Sequence, residues 1–181
     1  MTDITYGFNG WLPGEGIPEL LKRFTNPIGV EIGSDYGWTT EYLLDTVENL
    51  QILCVDPYLG YVDWNGTVCT NFDRERVMRE AMDRVSRFGD RSKLLRLLSD
   101  DAAGYIPDNS LDFVFIDGLH TYDQVLKDCH NYYPKLKSGG LLCGHDYGEI
   151  EAVRQAVDEF AQIENKEINH TKQDIWYWYK D

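Results

Sequence analysis

Short, almost wholly apolar runs alternate along this chain with longer segments whose apolar residues recur at helical spacing. The runs are Ile28–Ile32 between Pro27 and Gly33, Ile52–Val55 before Asp56-Pro57, Leu94–Leu98, Phe113–Ile116 and Leu141–Cys143. Runs this short and continuous predict strands buried on both faces, as in a parallel sheet covered by helices. The segments between them predict the helices. Thr39–Val47 follows the first run; Phe72, Val77, Ala81, Val85 and Phe88 mark a stripe before the third. Tyr122, Val125, Leu126, Cys129 and Tyr133 mark another, opened by the capping-box pattern Thr121-x-x-Gln124 and closed by Lys135, Lys137 and Gly139-Gly140. Ile150, Val153, Val157 and Phe160 form a last helical face, and the aromatic tail Trp176–Tyr179 predicts a final strand inside the sheet rather than at its edge.

Five β/α alternations and a terminal strand define an α/β, Rossmann-like, doubly wound and mostly parallel sheet with a terminal antiparallel strand. The 181 residues suit a single domain. Two segments stand outside the alternation. Residues 1–26 carry Trp11 and several glycines, and the loop Pro57–Asn71 carries Tyr58, Tyr61 and Trp64. A structureless loop of that length in a compact domain is more often functional than idle, so both predict coverings of a pocket, the second a lid.

Composition narrows the partners. With 31 acidic against 17 basic residues the net charge is −14, a field that repels phosphate backbones and disfavours nucleic acid as substrate. No apolar run reaches the length of a membrane span, and Met1-Thr2-Asp3 lacks the basic and apolar regions of a signal peptide, which predicts a cytoplasmic protein without membrane contact. The four cysteines form no CxxC pair and are expected as reduced, mostly buried thiols. His130 and His170 have no polar company in the sequence and are expected at the surface. A chain this short leaves room for a second copy to help close the pocket, so a homo-oligomer is compatible with it.

Candidate chemistry gathers at the ends of the predicted strands. Glu31-Ile-Gly33-Ser34-Asp-Tyr-Gly37-Trp-Thr39 runs from a strand through a glycine-rich turn into a helix, where backbone N–H groups can face an anionic group. Position 35 is Asp, so the dinucleotide fingerprint GxGxxG is absent. Asp56 closes the second strand, where a carboxylate can accept ribose hydroxyls or simply form the turn before Pro57. Ser99-Asp100-Asp101 follows the third strand as a ligand contact or a helix cap. Asp117 and His120 end the fourth strand, and His145 and Asp146 the fifth. With strands about 4.8 Å apart, these four side chains can converge as a divalent-metal site with an imidazole to spare as a base, or can serve singly as caps.

The pattern E-x-G-x-x-x-G resembles motif I of class I S-adenosylmethionine (SAM)-dependent methyltransferases. D-G-x-H-x-Y at Asp117–Tyr122, L-x-x-G-G at Leu136–Gly140, H-D-Y at His145–Tyr147 and the W-Y-W-Y-K ending are similar to the macrocin- and mycinamicin-type sugar O-methyltransferases. That resemblance implies SAM as cofactor, with Glu31, Gly33, Ser34, Gly37 and Thr39 lining its methionine end, Asp56 its ribose and Asp100 its adenine, and with Asp117 close by. It also implies a magnesium ion held by Asp117 and Asp146, with His120 as general base and Asp117 beside it in catalysis. Position 145 is often acidic in the family. His145, as a third ligand, suits a transition metal better than magnesium. The acceptor implied is the hydroxyl of a small molecule or sugar; the alternative is a non-catalytic SAM- or nucleotide-binding module of the same fold.

Overall fold

A computed structural model describes residues 12, 14–62 and 66–181. Trp11, Trp64 and most of the expected covering segment before residue 14 lie outside them. The elements, in chain order, are α1 (Ile17–Leu21), β1 (Ile28–Ile32), α2 (Trp38–Thr46), β2 (Gln51–Val55), β3 (Tyr61–Val62), β4 (Val68–Cys69), α3 (Asn71–Ser86), β5 (Ser92–Leu95), α4 (Ser99–Ala103), β6 (Leu111–Ile116), α5 (Tyr122–Tyr132), β7 (Leu136–Gly144), α6 (Glu151–Ile163), β8 (Asn169–His170) and β9 (Trp176–Tyr179).

Seven strands form one sheet in the order β5-β2-β1-β6-β7-β9-β8, and β3 and β4 pair as a small hairpin in the expected lid. The first five are mutually parallel; β9 runs antiparallel to β7 and to β8. The apolar runs are continuous because alternate residues feed two different cores. Along β6, Phe113 and Phe115 point into a core with α1 and α2, whereas Val114 and Ile116 point into one with α4, α5 and α6. Along β9, Trp176 and Trp178 join the second core while Tyr177 and Tyr179 pack against the first.

The expected elements form, with instructive shifts. The third strand ends at Leu95 rather than Leu98, and Leu98 is half exposed. As the edge of the sheet, β5 has a neighbour on one side only, so its apolar residues are incompletely covered. Phe72 is 80% exposed, and the buried stripe of α3 is Arg74, Val77, Ala81 and Val85. Helix α5 stops before Pro134, and the Gly139-Gly140 pair lies inside β7 rather than beyond a helix. Gly139 donates to the Lys180 carbonyl and Lys180 to that of Gly140, each at 2.8 Å, so the C-terminal tail recruits these glycines into the sheet. Thr121 accepts from the Gln124 amide at 3.4 Å, but the Gln124 side chain reaches Ser99 and Asp128 instead of closing the capping box. Tyr58, expected in a lid, is wholly buried. The four cysteines are unpaired, three of them buried, and His130 and His170 are exposed. No helix among the described residues is long and apolar enough to cross a membrane.

Trp176 ties the last strand to the site end of β7. Its ring is fully buried, its indole N–H donates to the His145 carbonyl at 3.2 Å, and a Cβ on Gly144 would lie 2.4 Å from it. Trp176→Ala is expected to cost about 3–5 kcal/mol, the usual range for deleting a buried aromatic. Urea unfolding checks this as a lowered midpoint with an unchanged slope.

Candidate functional site

Strand order reverses at β1, which lies between β2 and β6, and the crevice at the carboxyl ends there is where open α/β sheets bind ligands. The Gly33 turn is pressed against the next strand end. Gly33 has φ +86°, and a Cβ on it would lie 2.1 Å from the Asp117 carbonyl oxygen, so only glycine fits. The Gly33 amide donates to Val55 and the Asp117 amide to Ile32, which fixes three strand ends in register. Gly37, also left-handed, then opens α2. The contact joins the expected cofactor turn to the expected catalytic cluster.

Glu31 is 1% exposed and hydrogen-bonded by Thr40. Burial, reinforced by the charges of Asp117, Asp56 and Asp35 against the Thr40 bond, pushes its carboxyl up to about 8. This end of the sheet thus gathers carboxyl groups from several strand ends. Ser34 is buried with its hydroxyl 3.3 Å from that of Tyr58, and Thr39 is buried beneath Gly14 of the N-terminal segment.

Asp117, His120 and Asp146 converge. His120 Nε2 lies 2.9 Å from Asp146 Oδ2 and 3.6 Å from Asp117 Oδ1, and each residue offers a ligand atom within 4.8 Å of the others. His145 does not join this set. Its Nδ1 is 2.9 Å from Asp146 Oδ1, so it braces the carboxylate from the other side. Asp146 has φ +64°, a left-handed conformation Asp tolerates better than most residues. Burial lowers the basicity of His120, but its contacts with Asp117 and Asp146 outweigh burial and push it up to about 10. Burial would raise Asp146; the two imidazoles hold it well below the usual carboxylate range. Without a further cation, His120 is an imidazolium near neutral pH and cannot act as a base.

Two expected cofactor residues are engaged elsewhere. Asp100 pairs with Lys127 at 2.5 Å and accepts from Asn131 at 3.0 Å, which turns its carboxylate toward α5. Ser99 is the first residue of α4 rather than its cap, and its hydroxyl accepts from Gln124. Asp56 accepts from the amides of Asp35 and Tyr58 and from Arg74, whose guanidinium also pairs with Asp35. Burial raises the Asp56 pKa despite Arg74 and the two amides. Arg74, not singled out from the sequence, and Tyr58, expected only as part of the lid loop, both meet Asp56 here. The available signal was a charged residue opening the apolar stripe of α3, three positions before Val77.

The topology and the glycine-turn site define a protein of the Rossmann-like methyltransferase class. Its membership is specific: a family model described as a methyltransferase domain matches residues 30–147, and the chain belongs to that family. The uncharacterized protein y4gI of Sinorhizobium fredii is 29% identical over 119 residues, 65% of this chain and 13% of y4gI, so the chain spans about an eighth of that relative. The O-methyltransferase NovP superposes with TM-score 0.69 at 20% identity, covering 92% of this chain and 78% of its own. The Bacillus cereus O-methyltransferase in complex with SAH (S-adenosylhomocysteine) gives TM-score 0.62 at 14% identity, over 92% and 80%. At these identities the likeness shows the fold.

Glu31 carries a pH test. Its folded pKa lies above the unfolded value, so its contribution is complete below the unfolded pKa of about 4.5 and is lost as pH rises through about 8. Melting temperatures of the wild type should fall between pH 5 and 8 more steeply than those of Glu31→Gln. Parallel curves would place the Glu31 carboxyl in contact with solvent.

Proposed function

We propose that this chain is a SAM-dependent methyltransferase acting on the hydroxyl of a small molecule or sugar, assisted by a divalent ion at the Asp117–Asp146 pair. The observation that carries the reading is the packing of the Gly33 turn on the Asp117 backbone, which sets the glycine turn beside the Asp/His cluster. The SAH complex of the Bacillus cereus relative supports SAM as the cofactor. The carboxyl groups of Glu31, Asp35, Asp56 and Asp117 gathered at this end of the sheet suit a cationic sulfonium ligand.

SAM supplies a methyl carbon activated by its sulfonium. Asp117 and Asp146 would hold a divalent ion, which would supply Lewis acidity and offset the carboxylate charge beside His120. The carboxylates of Asp117 and Asp146 lie close enough together to hold such an ion, with the His120 imidazole beside them. The chain's residues then have separate tasks. The Gly33 turn and Glu31 seat the methionine end, with Ser34, Gly37 and Thr39 around it. His145 fixes Asp146. His120, as a neutral imidazole, would take the proton of the acceptor hydroxyl, whose oxygen would bond to the methyl carbon as the carbon–sulfur bond of SAM breaks and SAH leaves. Alignment of the acceptor is the larger part of the work, with general-base catalysis adding about 10²–10⁴-fold.

Calorimetric titration with SAH, with and without Mg²⁺ or Mn²⁺, tests the cofactor and metal readings together. Metal binding should release a proton from His120, seen as a dependence of the heat on buffer ionisation enthalpy. Asp117→Asn is expected to abolish SAH formation from SAM and a hydroxylated acceptor panel while leaving SAH affinity largely unchanged. His120→Gln should keep metal binding and lose about 10²–10⁴-fold in turnover. Loss of metal binding instead makes His120 a ligand, and absence of SAH binding by the wild type overturns the methyltransferase reading.

A further inference from the structure

Asp56 ends β2 where a carboxylate can accept a ribose diol, yet its acceptor positions are already filled. Oδ1 accepts from the Tyr58 amide at 2.8 Å and from Arg74 Nη2 at 3.2 Å. Oδ2 accepts from the Asp35 amide at 3.0 Å and from the same Arg74 nitrogen at 3.2 Å. A carboxylate has about four lone-pair directions, so the two backbone bonds and the arginine leave none for a diol.

Of these partners only the arginine can leave without unfolding the turn. The amides belong to the Gly33 and Pro57 turns, whereas Arg74 reaches in from the first turn of α3, directly after the β3–β4 hairpin. Its seat is also imperfect. The residue is 6% exposed, its Nε–H is buried without a hydrogen-bond partner among the described residues, and both bonds to Asp56 are long for charge-assisted contacts. Its remaining contacts are the pairing with Asp35, itself half exposed, and the faces of Tyr58 and Tyr61 at 5.4 and 5.6 Å.

We propose that Arg74 is a displaceable counter-ion on Asp56, and that it must vacate that carboxylate for a ribose-bearing ligand to bind. Arg74 thereby sets cofactor affinity. The inference rests on the SAM reading above, because it takes the ribose of that cofactor as the entering group. It assigns Arg74 a role opposite to that of a residue that merely positions Asp56. A positioning residue strengthens ligand binding, whereas a competing counter-ion weakens it and stabilises the ligand-free protein.

The test uses SAH as probe on the full chain, with binding and ligand-free stability read together. In Arg74→Met the Kd for SAH is expected to fall on the order of tenfold, while the melting temperature of the ligand-free protein drops because Asp56 loses its partner. Arg74→Lys keeps the charge but lacks the planar fork that bridges two carboxylates; it should shift both readouts the same way by less, and it carries the test if the methionine variant does not fold. An unchanged or higher Kd in the variants, with the wild type binding SAH, overturns the proposal and leaves the methyltransferase reading standing. Failure of wild type and variants alike to bind SAH removes both.

Discussion

The structure turns on the contact between the Gly33 turn and the backbone at Asp117. Strand β1 is paired in parallel with β2 on one side and β6 on the other, so three strand ends open onto the same crevice. At that point the chain must leave β1 and reach α2 without a side chain, because the carbonyl of Asp117 occupies the space a Cβ would need. The amide bonds from Gly33 to Val55 and from Asp117 to Ile32 hold the contact in register. Neither the glycine turn nor the Asp/His cluster would face the same space without it.

A charge pattern follows from that convergence. Carboxylates from β1, β2, β6 and β7 gather at one end of the sheet, where burial opposes the ionisation of Glu31, Asp56 and Asp146. The protein resolves the cost differently at each one. Glu31 holds its proton to about pH 8. Asp146 ionises against two imidazoles. Asp56 takes Arg74. A ligand entering the crevice competes with these internal solutions, and the most replaceable is the one with the longest bonds and an N–H without a partner among the described residues.

Burial on two faces was readable in the apolar runs, because a strand between two helical layers can carry no alternation of polar residues. β6 and β7 follow that rule closely. β5 departs from it because its place at the edge depends on the crossover order, to which local composition is blind. The glycines at 139 and 140 illustrate the same limit. Locally they look like a helix stop, and only the pairing with the tail at Lys180 makes them part of a strand. Phe72, expected in the buried stripe of α3, is exposed, while Arg74 turns inward to the buried carboxylate of Asp56, 18 positions earlier.

The sequence by itself determined the fold class, the glycine turn after β1 and the four polar residues at the ends of β6 and β7, since each depends on period, on conformational tolerance or on position beside a strand. Tertiary structure alone decided which of those residues meet. Asp117, His120 and Asp146 form the cluster while His145 stands behind it; both His145 and Asp146 lie past the end of β7, where the chain turns through the left-handed backbone of Asp146. The engagement of Asp56 by Arg74 was likewise invisible in the chain. It arises from α3 packing across the end of β2, and ion pairs between distant segments leave no periodic trace in a single sequence.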